Sequence, residues 1–380
     1  MHARTEGTAP WDGQPTLPAL RAHATRHVAH ALHQGRAIAL LGAGQTGALA
    51  AHALGDAARC FLDDTPAKQG LVLNGLPVHA VDDGLRQLPD GALVVVCIFS
   101  ARHQYMRTRE RVRSLRPDCT VASFAEVLHL FEQGLPNLYL DTLARQLNLL
   151  PRLHALRARL ADARSRDVLD AHLRMRLCAD FTAEIDARDA LGFLGVPDGA
   201  LLSFVDGGAF DGDTLRDFLA WRHGRFGRIV ACEPDRNNAD SLRRFVATLD
   251  PDARARIEVR EAALWSSTGH HAFAATGQVG SALSDAGAAQ VATDTLDAMD
   301  HLSDPLLVKL DVEGAEAKVL HAATAWIRRR RPLLAISVYH QPADLAELFE
   351  LVDAIGVPYR YRLRCHGGDG TDLMLYCSMA

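Results

Sequence analysis

The chain has 380 residues, of which 48% are hydrophobic and 23% are charged, as in ordinary soluble globular proteins. This length is enough for two domains, each with its own buried core. The formal net charge of −5 argues against a nucleic-acid-binding surface, and no apolar run is long enough to span a membrane.

The N-terminal stretch MHARTEGTAPWDGQP lacks the basic start and the apolar run of a signal peptide. We expect residues 1–35 to form a flexible lead-in and a first helix. The chain has seven cysteines, an odd number, with no CxxC pair, and several of them, such as Cys97 and Cys232, lie in apolar stretches. This pattern predicts reduced, buried thiols and a cytoplasmic protein.

Residues 36–135 have the alternating pattern of a small Rossmann-like α/β domain. The run AIALLGAGQTGALAAHAL predicts a strand, a turn and a helix, with Gly42, Gly44 and Gly47 in G-x-G-x-x-G spacing. A second strand then ends at Asp63, about 20 residues after the first glycine, which is the context that a dinucleotide-binding motif requires. A hairpin-like segment at LVLNGLPVHAV and a third buried strand at ALVVVCIF follow.

This block resembles the small nucleotide-binding domain found ahead of some sugar-modifying enzymes, in which D-D-x-P-x-x-x-G and G-x-P-V recur. Two interpretations stay open. The turn and its acid, Gly42, Gly44, Gly47 and Asp63, could bind a nucleotide, a dinucleotide or a nucleotide sugar. Alternatively, the domain is a structural Rossmann-like unit without a ligand.

Residues 136–198 are predicted to form a helical linker between two α/β domains. Between Leu140 and Ala190 leucines recur three and four residues apart, with arginines on the opposite face, which is typical of amphipathic helices. We interpret the basic face as solvated surface. Pro151 is predicted to separate two helices.

Residues 199–380 return to alternating strands and helices. They predict a mostly parallel seven-stranded sheet with one reversed strand, because the crossover helices that parallel strands need are present. The predicted strands are Leu201–Asp206, Arg228–Glu233, Arg256–Arg260, Leu306–Leu310, Leu333–Tyr339, Tyr359–Leu363 and Asp372–Cys377. The glycine-rich chain between Ala262 and Thr295 is predicted to form a hairpin and a loop that folds over a ligand. The fold class is therefore α/β throughout.

The run VDGGAFDGDT is the most informative stretch, because it predicts a strand end, a glycine-rich turn and a helix start. Its acid precedes its three glycines: Asp206, then Gly207, Gly208 and Gly212. A carboxylate there suits the ammonium and sulfonium of S-adenosylmethionine, and glycines let the backbone approach a ligand closely. The next strand ends at Glu233, where doubly wound sheets carry the acid that binds the ribose hydroxyls. Together these features predict an adenosine-type ligand.

Two further motifs complete the C-terminal half. LLVKLDVEGAEAKVL predicts a buried strand, an acidic turn and a helix, and PLLAISVYH predicts a strand that ends in Tyr339 and His340. Here the chain resembles the FkbM-family methyltransferases. Their pattern is an acidic glycine-rich first motif, an E-P acid after the second strand, a K-x-D-x-E-G-x-E block and a Y-H strand end. The resemblance covers about the second half of the chain and implies a class I methyltransferase sheet that uses S-adenosylmethionine.

The resemblance also implies roles for these residues. Asp206 and the adjacent glycines would hold the methionine part of the cofactor, and Glu233 its ribose. Asp311, Glu313 and His340 then face the acceptor, a small molecule or glycan whose methylated atom is expected to be a hydroxyl on a sugar, glycan or polyketide-like group. His340 is the candidate general base, because histidine titrates in the range that a proton acceptor needs.

The remaining groups of this block have alternative interpretations. Asp311 and Glu313 could orient acceptor hydroxyls, or they could share a divalent metal cation, which we do not favour because two carboxylates make a thin site. Lys309 is expected to face away from Asp311 and to form a structural ion pair with Glu316 or another acid.

Two other functions compete with methyl transfer. The first is a nucleotide-dependent oxidoreductase that uses the N-terminal domain, although no tyrosine–lysine or cysteine–histidine pairing stands out near it. The second is a non-catalytic module that senses S-adenosylmethionine or a nucleotide sugar. Loss of Asp206 or Glu233 would have favoured such a module, and both acids are present.

Overall fold

The computed structural model describes residues 15–134, 140–183, 194–197, 199–274, 282–283 and 289–379. The lead-in expected at the N-terminus lies, up to residue 14, outside the described residues. The chain divides into two compact units. Unit 1 comprises residues 1–151, 167–187 and 365–372, and unit 2 comprises residues 152–166, 188–364 and 373–380.

Unit 1 contains a six-stranded sheet with helices between its strands. Its strands are β1 (Ile38–Leu41), β2 (Ala58–Leu62), β3 (Val72–Leu73), β4 (Leu76–His79), β5 (Leu93–Val96) and β6 (Thr120–Ser123). The helices that precede or connect them are α1 (Leu17–Ala24), α2 (Arg26–His33), α3 (Gln45–Leu54), α4 (Val81–Gln87), α5 (Tyr105–Leu115) and α6 (Phe124–Leu130). The strand order is β3-β4-β2-β1-β5-β6.

The pairing in this sheet explains which strands the sequence revealed. β1 pairs in parallel with β2 and β5, and all four of its residues are buried, so it reads as a continuous apolar run. β3 and β4 form the antiparallel hairpin that the sequence predicted. The edge strand β6 was not predicted, because its four residues, TVAS, lack an apolar run.

Two long helices follow, and their boundary differs from the prediction. They are α7 (Leu143–Arg159) and α8 (Ala163–Cys178), and α7 continues through Pro151. A proline inside a helix loses one backbone hydrogen bond, but Leu150 and Leu153 beside it are buried, and their packing supports the helix there. The break falls instead at residues 160–162, where the N–H of Ala161 donates to the carbonyl of Tyr361.

Unit 2 contains the seven-stranded sheet and a smaller second sheet. The strands are β7 (Leu202–Gly207), β8 (Phe226–Cys232), β9 (Ile257–Arg260), β10 (Ala262–Leu264), β11 (Gly269–Ala274), β12 (Ala282–Leu283), β13 (Ala289–Asp294), β14 (Leu306–Leu310), β15 (Leu333–Ser337), β16 (Arg360–Cys365) and β17 (Leu373–Ser378). The helices are α9 (Asp213–Arg222), α10 (Arg236–Ala247), α11 (Pro251–Arg254), α12 (Glu316–Ala322), α13 (Thr324–Arg330) and α14 (Asp344–Ala354).

The large sheet confirms the predicted architecture. Its order is β16-β17-β15-β14-β7-β8-β9, and β17 runs antiparallel to β15 while β15, β14, β7, β8 and β9 are parallel. All seven predicted strands are present, with boundaries shifted by at most two residues. The hairpin predicted after Ala262 is also present, because β11 pairs antiparallel with β13. The loop expected there lies partly outside the described residues.

The core of unit 2 lies beside β7, whose six residues are all buried. Phe204 of β7 stacks on Phe218 of α9, with ring centroids 4.5 Å apart, and Phe226 of β8 packs at the edge of the same ring. The seven cysteines are all buried and unpaired, as predicted. None of the described helices combines the length and apolarity that crossing a bilayer requires.

Candidate functional site

The carboxyl ends of the parallel strands bring the predicted acids to one edge of the large sheet. Asp206 is the fifth residue of β7, and Glu233 and Asp311 directly follow β8 and β14. In the sheet register Asp206 lies between Ala231 of β8 and Lys309 of β14. The acids therefore emerge on the side where open α/β sheets bind ligands.

The glycines of the first motif are required by packing inside the protein. A Cβ added at Gly208, whose φ is +75°, would lie 1.9 Å from the carbonyl oxygen of Asp311. A Cβ at Gly207 would lie 2.7 Å from Leu264, and one at Gly212 would lie 2.8 Å from Leu242. Packing against protein atoms therefore accounts for these glycines, and the expectation that they let a ligand approach the backbone closely stays a prediction.

This packing predicts a large stability difference between two glycine variants. Gly208→Ala combines a left-handed backbone with a backbone clash, and we expect it to lower the free energy of unfolding by about 3 kcal/mol or more. Gly224→Ala is the matched control, since its φ is +74° but nothing lies within 4 Å of its Cβ. It should cost about 1–2 kcal/mol. Equal losses in urea unfolding would contradict this reading of the first motif.

Asp206 is fully buried, and neither carboxylate oxygen receives a hydrogen bond from the described residues. The nearest cation is Lys309, whose Nζ lies 3.4 Å from Oδ1. Burial raises the pKa of Asp206 to about 6, although the positive charge of Lys309 opposes that shift. A buried carboxylate with open acceptor positions is costly to the fold, so it is a candidate for ligand binding.

Glu233 is held by the backbone that surrounds it. Its Oε2 accepts a hydrogen bond from the N–H of Phe210 at 2.9 Å, and its Oε1 accepts one from the N–H of Asp235 at 2.8 Å. Burial raises its pKa, and these two hydrogen bonds oppose the shift. Because a carboxylate offers about four acceptor positions, Glu233 can still accept from a ligand.

His340 lies three residues beyond β15 in a buried cluster of carboxylates. Its Nδ1 is 3.0 Å from Oε1 of Glu316, while its Nε2 is 3.3 Å from Oδ1 of Asp311 and 3.6 Å from Oε2 of Glu313. Burial by itself would lower its pKa, but the interactions with Asp311 and Glu316 outweigh burial and hold the pKa well above 6.5. The ring is thus a strong proton acceptor once deprotonated.

Lys309 corrects one expectation from the sequence. Its Nζ lies 3.3 Å from Oδ2 of Asp311, so the two side chains lie on the same side of the strand. The prediction that they face apart was wrong, because residues two apart in a strand share a face. Asp311 also accepts a hydrogen bond from Ser337 at 2.7 Å. Burial would raise the pKa of Asp311, but Lys309, His340 and this hydrogen bond together lower it.

Comparison with known proteins identifies the domain that carries this edge. Residues 206–362 match the family model described as the methyltransferase FkbM domain. The chain carries an FkbM methyltransferase domain. It is therefore an S-adenosylmethionine-dependent methyltransferase, as the sequence motifs predicted.

Solved structures extend the comparison to the fold of most of the chain. The crystal structure of methyltransferase FkbM from Methylobacillus flagellatus KT is 22% identical, covers 95% of this chain and 98% of its own, and has a TM-score of 0.72. The precorrin-6y C5,15-methyltransferase from Geobacter metallireducens GS-15 is 16% identical over 50% of this chain and 85% of its own, with a TM-score of 0.30.

A third similar structure is the N-terminal domain of human METTL16 in complex with SAH. It is 15% identical over 63% of this chain and 94% of its own, with a TM-score of 0.30. None of the curated proteins matches this chain significantly.

Glu316 belongs to the cluster of His340, Asp311, Glu313 and Glu316, which we call the FkbM-domain cluster, and it is the member that the sequence analysis did not propose as a site residue. It is 1% exposed, and its Oε1 also accepts a hydrogen bond from the N–H of Val312 at 2.8 Å. The sequence signal that could have identified Glu316 is its place as the last acid of the D-x-E-G-x-E motif. Gly314, at φ +92°, and the start of α12 turn the chain so that Glu316 faces back toward the end of β14.

A divalent cation is the other group that the FkbM-domain cluster could hold. Ligand atoms of Asp311, Glu316 and His340 lie within 4.8 Å of one another. A cation that used the imidazole would have to displace its proton, and the raised pKa of His340 opposes that exchange.

The glycine turn of unit 1 lies outside the FkbM domain and is largely explained by its own packing. Asp63 accepts hydrogen bonds from the N–H groups of Ala43 and Thr65, each at 2.8 Å, and pairs with Lys68. Burial raises its pKa, but these partners outweigh burial and lower it to about 2. Gly42 has a φ of +114°, a Cβ at Gly47 would lie 2.0 Å from the Gly42 carbonyl, and Gly44 has open space. Ligand binding at this turn stays a prediction.

Proposed function

We propose that the enzyme methylates a hydroxyl group on a sugar, glycan or polyketide-like acceptor, with His340 as the general base. The cluster around His340 carries this proposal. One imidazole nitrogen of His340 contacts the buried Glu316, and the other lies beside partly exposed carboxylates. This arrangement suits a proton acceptor.

The cofactor part of the proposal rests on the two strand-end acids. The open oxygens of Asp206 suit the ammonium of the methionine part, which would satisfy a buried carboxylate that otherwise lacks donors. The remaining acceptor positions of Glu233 suit the two ribose hydroxyls, and the backbone at Gly207, Gly208 and Gly212 forms the turn beside them. When bound, S-adenosylmethionine supplies an electrophilic methyl group on a sulfonium that is already a good leaving group.

The chain's own residues then align the acceptor and take its proton. Methyl transfer from S-adenosylmethionine to the acceptor oxygen would leave S-adenosylhomocysteine, and Nε2 of His340 would take the proton that the acceptor hydroxyl loses. Glu316 holds the proton on Nδ1, so that the lone pair of Nε2 is available. Asp311 and Glu313 stabilise the imidazolium that forms.

The carboxylates beside the base support the proposed acceptor class. The side chains of Asp311 and Glu313 are 27% and 28% exposed, whereas that of Glu316 is 1% exposed. Ionised carboxylates only accept hydrogen bonds, so the two more exposed ones favour a ligand with several hydroxyl groups. The buried, unpaired cysteines fit a reducing compartment such as the cytoplasm.

A methylation panel tests the proposal directly. The purified enzyme is incubated with S-adenosylmethionine and separate sets of sugars, glycans, hydroxylated polyketides, amines and carboxylic acids, and products are detected by mass spectrometry. We expect the mass of one added methylene on a hydroxyl compound, together with S-adenosylhomocysteine. Methylation confined to amines or carboxylates would contradict it. Cofactor binding without turnover on any set would favour a sensor, and tight binding of NADH alone would favour an oxidoreductase.

A further inference from the structure

The side chain of Lys309 joins the two halves of the edge site. It is buried on β14, with 8% of its surface exposed. Its Nζ lies 3.4 Å from Oδ1 of Asp206 and 3.3 Å from Oδ2 of Asp311, and it donates to the carbonyl of Gly208 at 3.3 Å. The ammonium of Lys309 thus donates one hydrogen bond to the glycine-rich turn and lies within ion-pair distance of both the cofactor-side acid and the acceptor-side acid.

We propose that Lys309 is the positioning residue that holds Asp206 and the glycine-rich turn in the arrangement that receives the amino-acid end of S-adenosylmethionine. This inference rests on the proposed cofactor role of Asp206. Lys309 lies beside Asp206 in the sheet register, so its ammonium limits where the carboxylate can turn, while its bond to Gly208 fixes the first peptide of the turn.

The charges around Lys309 explain why an apolar side chain could not replace it. Three carboxylates attract this ammonium: those of Asp206, Asp311 and, farther away, the exposed Asp213 at the start of α9. Their negative charges outweigh the effect of burial and raise the pKa of Lys309. Without Lys309, the buried carboxylate of Asp206 and the partly exposed carboxylate of Asp311 would have no cation between them. One of them would then take a proton or turn away, and the ammonium of the cofactor would lose a charged partner.

Two ligands separate a positioning role from a general structural one. S-adenosylhomocysteine carries the amino-acid end, whereas 5′-methylthioadenosine has the same nucleoside without it. We expect Lys309→Met to weaken S-adenosylhomocysteine about tenfold, as when a hydrogen bond to a charged group is lost, and to leave 5′-methylthioadenosine unchanged in calorimetric titrations. Unchanged binding of S-adenosylhomocysteine, or an equal loss for both ligands, would overturn the proposal.

A second variant keeps the test valid if Lys309→Met folds poorly. Lys309→Arg retains the positive charge between the two acids but replaces a compact ammonium with a planar fork. We expect it to unfold at the wild-type temperature and to lose part of the affinity for S-adenosylhomocysteine, again with 5′-methylthioadenosine unchanged. Full affinity for S-adenosylhomocysteine in Lys309→Arg would refute the positioning role.

A double-mutant cycle then tests whether Lys309 acts through Asp206. Lys309→Met in an Asp206→Asn background should cause little further loss of S-adenosylhomocysteine affinity, because the group it positions is already gone. Fully additive losses would contradict the mechanism. These titrations contain no acceptor, so their outcome is independent of which atom the enzyme methylates and of the role of His340.

Discussion

Replacing His340 with alanine should reduce turnover by about 10²–10⁴-fold while the affinity for S-adenosylhomocysteine stays the same. The reason is that Nε2 is proposed to accept the acceptor proton, whereas the cofactor is assigned to Asp206 and Glu233. Single-turnover kinetics with the best acceptor of the methylation panel measure the first quantity, and calorimetry measures the second.

His321→Ala is the matched control for this variant. His321 lies on α12, in the same motif region, but its side chain is exposed. Its removal should change neither turnover nor binding. If His340→Ala keeps full turnover, His340 is not the base. If it loses turnover and cofactor binding equally, its role is structural, since removal of a buried imidazole also leaves three carboxylates without their cation.

The same histidine sets the direction of the pH dependence. A general base works in its deprotonated form, and the pKa of His340 lies well above 6.5 because its bonds to Asp311 and Glu316 outweigh burial. Turnover should therefore keep rising as the pH increases past 6.5, up to the raised pKa. A profile that is flat between about pH 6 and pH 9 would contradict proton transfer to this group.

Asp206→Asn should weaken the binding of S-adenosylhomocysteine by about 10–100-fold, because the ammonium of the cofactor would lose the buried carboxylate that we propose as its partner. The same change should not lower the unfolding temperature. Burial raises the pKa of Asp206 from 3.8 to about 6, so ionising this carboxyl group costs the folded state stability, and that cost grows as the pH rises from about 4 and is fully present above about pH 6. An uncharged amide of the same shape removes that cost.

Asp213→Asn provides the control for Asp206→Asn. Asp213 lies seven residues later in the same motif, at the exposed start of α9, and its Oδ1 accepts the N–H of Thr214. The Asp213→Asn variant should bind S-adenosylhomocysteine as tightly as the wild type. Equal affinity in both variants would remove Asp206 from the cofactor site, and a lower unfolding temperature for Asp206→Asn would assign it a structural role.

The sequence predicted the strand framework well because buried parallel strands leave a direct trace in the chain. β14 reads LLVKL and β7 reads LSFVDG; both are buried and mostly apolar, with Asp311 directly after β14 and Asp206 as the second-last residue of β7. The order of motifs then indicated the FkbM methyltransferase domain before any contact was known. The course of α7 through Pro151 was not predictable in this way, because burial of its neighbours decides it.

The contacts within the site were harder to predict than its residues. We expected Lys309 to face away from Asp311, although period-two alternation puts residues two apart on one face, and the pairing of Lys309 with Asp206 depends on the register of β7 with β14. Likewise, the contact between Glu316 and His340 depends on the turn at Gly314, which directs the Glu316 side chain toward the imidazole. The sequence revealed which groups are present, whereas the network that determines their charge states arises only from the fold.

The close approach of Gly208 to the Asp311 carbonyl has a consequence for domain engineering. The first and third motifs share a backbone contact that leaves no room for even one methyl group, and Lys309 bonds to both. A chimaera that imports the β7 turn from a distant homologue must therefore import the end of β14 from the same parent. Replacing either segment alone would disrupt the packing between the β7 turn and the end of β14, at the carboxyl edge of the large sheet.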